Sequence, residues 1–484
     1  MKPWFIVLCI AHVPLRAQTV YFDQSYDVNS QAENGRPVAV VDSGYIMVNT
    51  SITSGKNQFA FIRTDNFGTE IVRNVFGANG YVYGTWSVNK KTDSTWAIAG
   101  VYQHPDSSNY DMFTAEIDQH GDTIWFKVLG TSFTEGAKKV LVLSGGDLAV
   151  FGTRVFAVNQ EADFLLIKTD PFGNPIWERE LGLPATKYEN GYDIIQTPDG
   201  GFVLSGNRTQ IGVANSRRFL LIRTDSDGNQ LWEKTYGGPY NDWGGYVTKS
   251  MEGGFMLGGY KALNAGNDSG KLWLIKVDDL GVMQWNKVYT TPSMVKGEVE
   301  GIEQLVDGSY VIVGNNRIDY YRGWILKVDQ EGAMLWSRLY TRNLDNHNYF
   351  WDFAPTPDGG FVVCGTTHNT TQDAWLLKLD SLGCNEPNCD TVAGVIHVPL
   401  PAMQLEVWPN PTDGIVNMKL PVRKIGMMEV VDVMGRVALA SPPNPLSPGE
   451  GGQFTADLSG LPSGVYVVRV EADGKTWQAK VVKR

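Results

Sequence analysis

Gly191-Tyr192-Asp193-Ile194-Ile195-Gln196-Thr197-Pro198-Asp199-Gly200-Gly201-Phe202-Val203-Leu204-Ser205-Gly206 reads as two short strands joined by a tight turn. Pro198 presets φ and the glycines accept positive φ, which is hairpin chemistry. Phe219–Arg223 and Gln230–Thr235 add two more strands. Asp225 and Gly228 bracket the turn between them: a short Asp side chain bonds turn amides, and Gly takes the left-handed corner. Gly191 to Gly237 is thus a four-stranded unit, and it recurs. The turn aromatic or its equivalent falls at Tyr45, Trp96, Leu148, Phe202, Phe255, Tyr310 and Phe361, spaced 51 to 55 residues apart. A period near 50 with several short strands per unit marks an all-β chain folded as a β-propeller, here of seven four-stranded blades.

In five copies a Trp follows the second Gly by four residues. The triples are Asp118/Gly121/Trp125, Asp170/Gly173/Trp177, Asp225/Gly228/Trp232, Asp278/Gly281/Trp285 and Asp329/Gly332/Trp336. A fixed spacing carries each Trp to one place in its blade, so these residues are read as fasteners between blades rather than as a ligand box. Truncating one such Trp to Ala is expected to cost roughly 3–5 kcal/mol. The array begins near Gly35 and stops at Gly383 without its Trp strand. Ahead of it, Val20–Tyr26 is comparable to Trp232-Glu233-Lys234-Thr235-Tyr236, so the N-terminal segment is expected to complete the seventh blade. A ring closed this way leaves no open sheet edge at the seam.

Residues 1–17 read as a signal peptide: Lys2, an apolar run from Trp4 to Val13, and Ala17 before cleavage. No later stretch is long and apolar enough to span a bilayer. The net charge of −11 lies in the repeat region, because residues 405–484 carry eight acids and nine bases. Phosphates would be repelled, which disfavours nucleic acid as a partner. Export makes a disulfide between Cys384 and Cys389 the expected fate of that pair, a clip just after the last repeat. Cys364, inside an apolar strand, reads as a buried thiol.

From Gln404 the repeat vanishes. About seven short strands in 80 residues suggest a small immunoglobulin-like β-sandwich, with Tyr466, Val468 and Val470 on one face of a half-buried strand. Four features occur in order: Pro409-Asn410-Pro411, the turn Asp432/Gly435/Arg436, Leu461/Gly464/Tyr466, and the basic end Lys483-Arg484. In this, residues 404–484 resemble the type A C-terminal sorting domain of type IX secretion substrates. The resemblance implies passage across an outer membrane by the type IX machinery, then release or attachment at the cell surface. The repeats themselves resemble the uncharacterised propeller-like repeats of exported Bacteroidetes-type proteins. They differ by one residue of spacing from the quinoprotein repeat and from the sialidase Asp-box. The expected layout is a signal peptide (1–17), a propeller (18–384), a linker (385–403) and a sorting domain (404–484).

Chemistry is harder to find. The inner strands are expected at Val38–Val41, Tyr81–Val88, Lys138–Leu143, Tyr192–Gln196, Gly245–Lys249, Gly301–Leu305 and Trp351–Ala354, and none contains Arg or His. Convergent arginines for a sialidase-like carboxylate site are therefore missing. The His residues show no metal-ligand spacing and no cofactor motif is present, so neither metal nor cofactor is expected. Acids recur just before the inner strands, at Glu33, Glu135, Glu189, Asp242 and Glu300. They form an acidic mouth or bond turn amides, and their repetition favours the second. The loop holding Asp345, His347, Tyr349 and Trp351 breaks the period, and Tyr240, Asp242 and Trp243 occupy the same loop of another blade. Aromatic platforms beside carboxylates suit sugars. The reading is an exported or surface-displayed binding module for a glycan or protein ligand. One alternative is a glycan-active hydrolase or lyase using Asp242 and Glu300, and another is a structural adhesin or surface-layer component.

Overall fold

The computed structural model describes residues 20–27, 33–34, 36–53, 56–76, 82–103, 109–156, 161–182, 187–266, 269–290, 294–368, 371–386, 389, 403–419, 427–432, 437–441, 453–472 and 475–484. Residues 1–17, expected to be a signal peptide, therefore lie outside the described residues, as do Gly435 and Arg436. The chain folds as two compact units.

The first unit is a propeller of seven blades. Blade four shows the build. Its inner strand Lys187–Gln196 pairs antiparallel with Phe202–Gln210, then Arg218–Thr224, then the outer strand Gln230–Tyr236. The two middle strands are largely buried on both faces, which is why each carries a continuous apolar run, Phe202–Leu204 and Phe219–Ile222, whereas the outer strand is half exposed. The ring closes as expected. Phe22–Tyr26 lies antiparallel on Gln372–Leu379, with Phe22 opposite Lys378 and Tyr26 opposite Ala374, and supplies the outer strand of blade seven.

The repeated Asp and Gly shape the turn, and the Gly also makes room. Asp225 Oδ1 accepts the amides of Asp227 at 3.0 Å and Asn229 at 2.8 Å. Gly228 sits at φ +78°, and a Cβ there would lie 2.8 Å from the ring of Trp177 in the preceding blade. Trp125, Trp232, Trp285 and Trp336 meet Gly173, Gly281, Gly332 and Gly383 in the same way. At the seam Phe22 takes the Trp position against Gly68, and Phe61 covers Gly121 where blade one has Val72. Each Trp thus clasps the next blade, but all five are only partly buried.

A second clasp accompanies it. Tyr236, Tyr289, Tyr340 and Tyr26 donate to the carbonyls of Gly281, Gly332, Gly383 and Gly68 at 2.7, 2.7, 2.6 and 2.6 Å. Burial pushes the phenols of Tyr236, Tyr289 and Tyr26 well above their ordinary pKa. Because Trp232 is half covered, Trp232→Ala should cost about 2 kcal/mol, below the full-burial figure. Tyr236→Phe should cost about 1 kcal/mol through the orphaned carbonyl. Urea midpoints would show this, and two unchanged midpoints would end the fastener reading.

The second unit has two sheets. Met403–Gln404, Lys475–Lys483, Gly464–Ala472, Met427–Asp432 and Val437–Ser441 form one, and Glu406–Trp408, Ile415–Lys419 and Gln453–Asp457 the other. Val416, Met418, Phe454 and Ala456 from the smaller sheet share one core with Val430, Val468, Val470 and Val481 from the larger. Cys384 and Cys389 are disulfide-bonded, and Cys364 is a buried free thiol.

Candidate functional site at the channel

The inner strands of blades three, four, six and seven start earlier than the sequence suggests, at Thr134, Lys187, Lys296 and Asn348. The added length takes in a β-bulge. Pairing slips between Thr85/Ser87, Ala137/Lys139, Gly191/Asp193, Gly244/Tyr246, Val299/Gly301 and Phe350/Asp352. A bulge leaves one residue unpaired and re-aims its side chain. The residues so placed are Trp86, Lys138, Tyr192, Gly245, Glu300 and Trp351, one per blade. In blade one Arg36 falls in the gap between Glu33–Asn34 and Val38–Val41. These side chains converge on the axis: the charges of Arg36 and Glu300 both act on Lys138, although the three belong to blades one, six and three.

The result is a band of alternating aromatic and charged groups. Lys138 lies 3.2 Å over Trp86, and Arg36 lies 4.6 Å over the same ring. Arg36 also caps Trp351 at 3.6 Å. Trp351 stacks on Tyr349 at 5.0 Å and 12°, and Tyr349 meets Tyr321 at 4.8 Å. Lys296 acts on the Tyr321 phenol and sits 5.4 Å over Trp243, which stacks on Tyr260 at 3.9 Å and 9°. Trp243, Tyr349 and Trp351 are thus in or beside one strip running from blade five, through six, seven, one and two, to blade three. Across from Lys138, Glu300 accepts from the Tyr246 hydroxyl at 3.0 Å. Burial, reinforced by Glu298, raises the Glu300 carboxyl to about 7 against the pull of Arg36, Tyr246 and Lys138.

The other recurring acids are held by the scaffold, although burial raises the Glu189 carboxyl to about 7 as well. Glu135 and Glu189 are fully buried and pair with Arg154 at 2.9 Å and Arg208 at 2.5 Å on the adjacent strand. Asp242 is equally buried: Oδ2 accepts Lys261 at 2.6 Å and the Gly238 amide at 2.5 Å, while Oδ1 accepts the Ala262 amide at 2.8 Å. Asp242 is therefore committed to the scaffold. Glu33 pairs by backbone opposite Ser51. Glu300 belongs to a different register: three residues after the acid slot, which in blade six is Gly297. It is a member of the ring. Lys296 and Glu298 flank it on the same strand as an ion pair.

The period-breaking loop is knotted. Asn348, fully buried, accepts the amides of Arg342 and Asn343 at 3.0 Å and donates to the Asn346 carbonyl at 2.9 Å. His347 Nδ1 accepts the Tyr321 amide at 3.1 Å, which leaves Nε2 to carry the proton in the neutral ring. Its pKa is lowered by burial, then by Arg317 and Arg322. His347 stacks on Tyr349 and extends the strip outward, while Asp345 is exposed at the loop tip. Tyr240 is half-buried, and its carbonyl accepts Arg218. One layer below the ring, Lys139 stands 3.7 Å from Asp193 and is also held by Asp352 and Glu303. No cluster of three His, Cys, Asp or Glu suited to a metal occurs among the described residues. A cavity of about 400 Å³ on blade four, lined by Lys187, Arg208, Arg218, Thr235 and Pro239, lacks an aromatic wall.

In the second unit the ordered motifs meet at one end. The Asn410 side chain donates to the Lys480 carbonyl at 2.7 Å and accepts the Val482 amide at 2.9 Å, tying Pro409-Asn410-Pro411 to the last strand. Lys483 donates to the Leu461 carbonyl at 2.5 Å, Tyr466 to the Pro462 carbonyl at 2.8 Å, and the Arg484 amide to Thr412 at 3.0 Å. Asp432 and Tyr466 are cross-strand partners, and Gly464 pairs with Lys483. Residues 406–484 match the family described as secretion system C-terminal sorting domain. The chain thus carries a sorting tail that marks it for export to the cell surface or beyond. No helix among the described residues is long and apolar enough to cross a membrane.

Among solved structures, an ulvan lyase from a polysaccharide lyase family is similar at 9% identity and TM-score 0.50, over 76% of this chain and 98% of that one. The β-propeller domain of a protease from Pyrococcus furiosus is similar at 12% identity and TM-score 0.42, over 72% and 96%. A Dyadobacter fermentans protein of unknown function is similar at 9% identity and TM-score 0.41, over 75% and 98%. At these identities the likeness to the lyase shows the propeller fold alone. No curated protein sequence matches the chain.

Proposed function

We propose that this chain is a binding module exported by the type IX machinery of a Bacteroidetes-type cell, with its ligand site at the channel mouth and a glycan as ligand. The observation that carries this reading is the strip Tyr321–Tyr349–Trp351, three rings in sequential contact and only partly covered. Flat aromatic faces stack on the C–H faces of sugar rings, and Glu298, Lys296 and Glu300 beside them offer hydrogen bonds to hydroxyls. A glycan array with the mature chain should show saturable binding without product release, and Trp351→Ala should weaken it at least tenfold. Binding untouched by that substitution would move the site elsewhere. Residues 404–484 act as the export signal on this reading, and their deletion should strand the protein in the periplasm.

A second reading, a glycan-active hydrolase or lyase, draws on the Glu300 carboxyl held near 7. Its carboxylate partner would be Glu298, since Asp242 is committed to Lys261 and two amides. Release of shortened oligosaccharides in the same assay would favour it over a binding module.

A further inference from the structure

We propose that Arg36 and Lys138, both placed over the Trp86 ring, form a subsite for an anionic group on a sugar ring, so that the glycan held at the mouth is an acidic one. This rests on the mouth being the glycan site. The two cations come from blades one and three and lie over a single indole, at 4.6 and 3.2 Å from its centre. Other cations in the same blades' neighbourhood have carboxylate partners: Arg154 with Glu135, Lys139 with Asp193, Arg208 with Glu189. Among the described residues, neither Arg36 nor Lys138 has a carboxylate within ion-pair distance. Glu300, the one acid in the ring, is hydrogen-bonded to Tyr246 and reaches Lys138 and Arg36 only through space. A desolvated cation without a counter-ion is costly, and a bound carboxylate or sulfate would supply one to both. Beyond Arg36, the partly exposed rings of Trp351 and Tyr349 continue the strip toward the next sugar of the same polymer.

The charge state of the ring adds a signature. Burial, then Arg36, lowers Lys138 to about 7 against the pull of Glu300, while burial raises Glu300 to about 7. Burial also keeps the phenols of Tyr192 and Tyr246 protonated. Below neutrality Lys138 is charged and Glu300 neutral; above it the reverse holds. Both changes make the ring less attractive to an anion as pH rises, so affinity should fall about tenfold between pH 6 and pH 8.

Calorimetric titration of the mature full chain would test this with polygalacturonate against its methyl ester, and with dextran sulfate against dextran. The charged member of at least one pair should bind at least tenfold tighter than its neutral partner, and the better pair tells carboxylate from sulfate. Lys138→Met and Arg36→Met should each remove most of that difference, with melting temperatures as a control on folding. Lys138→Arg should keep the difference and lose less of it as pH rises. Equal binding within both pairs, or Met variants that bind as the parent does, would overturn the subsite and leave the glycan reading standing. No binding of any polymer would overturn both.

Discussion

Deleting residues 20–27 should abolish the cooperative fold of the propeller, although the segment precedes the first repeat. Phe22 and Tyr26 are 7% and 6% exposed and share a core with Val38, Tyr45, Met47, Ile62, Val362 and Leu376, which span blades one and seven. Losing two buried aromatics costs roughly 6–10 kcal/mol, comparable with the whole stability of a typical domain. Asp23 adds two anchors, accepting Trp375 Nε1 at 2.8 Å and pairing with Arg342. Without the strand, Gln372–Leu379 becomes an open edge, a template for association between chains. The deletion should emerge from size exclusion as aggregate, and Tyr26→Phe as a monomer weakened by about 1–2 kcal/mol through the orphaned Gly68 carbonyl. A monomeric deletion variant that melts with the parent would refute strand closure.

That strand was legible because Phe22-Asp23-Gln24-Ser25-Tyr26 repeats the spacing of Trp232-Glu233-Lys234-Thr235-Tyr236. Packing between blades imposes the same residue types again and again, so the fasteners announce themselves. The tyrosine clasp was equally visible in Trp-x-x-x-Tyr at Trp232/Tyr236, Trp285/Tyr289 and Trp336/Tyr340. The central ring was not legible for the opposite reason. Arg36, Trp86, Lys138, Tyr192, Glu300 and Trp351 share a position and no chemistry, because a ligand site needs different groups from each blade. The bulge that aims them is a break in pairing, which alternation along a strand does not reveal. A signal did exist: Arg36, Lys138 and Tyr192 each follow an acid of the recurring set, Glu33, Glu135 and Glu189, by three residues. Glu300 concealed it by mimicking that set from within the ring.

The acids that stayed with the scaffold carry the other large effect. Arg154→Ala should cost about 3–5 kcal/mol, because it leaves Glu135 as a buried charge without its cation. The Arg154 side chain is 4% exposed and that of Glu135 is 0% exposed, with Nε and Oε1 2.9 Å apart. Glu178 and Glu180 on the outer strand close the far side of the guanidinium, so one arginine ties inner, second and outer strands of blade three. After truncation Glu135 retains only the hydroxyl and amide of Thr131. Arg154→Met combined with Glu135→Gln should recover most of the loss, since no uncompensated charge remains buried. Denaturant titrations of the parent, the two single variants and the double variant would decide it. An Arg154→Ala variant within about 1 kcal/mol of the parent would show that water reaches Glu135 and that the pair does not hold the blade together.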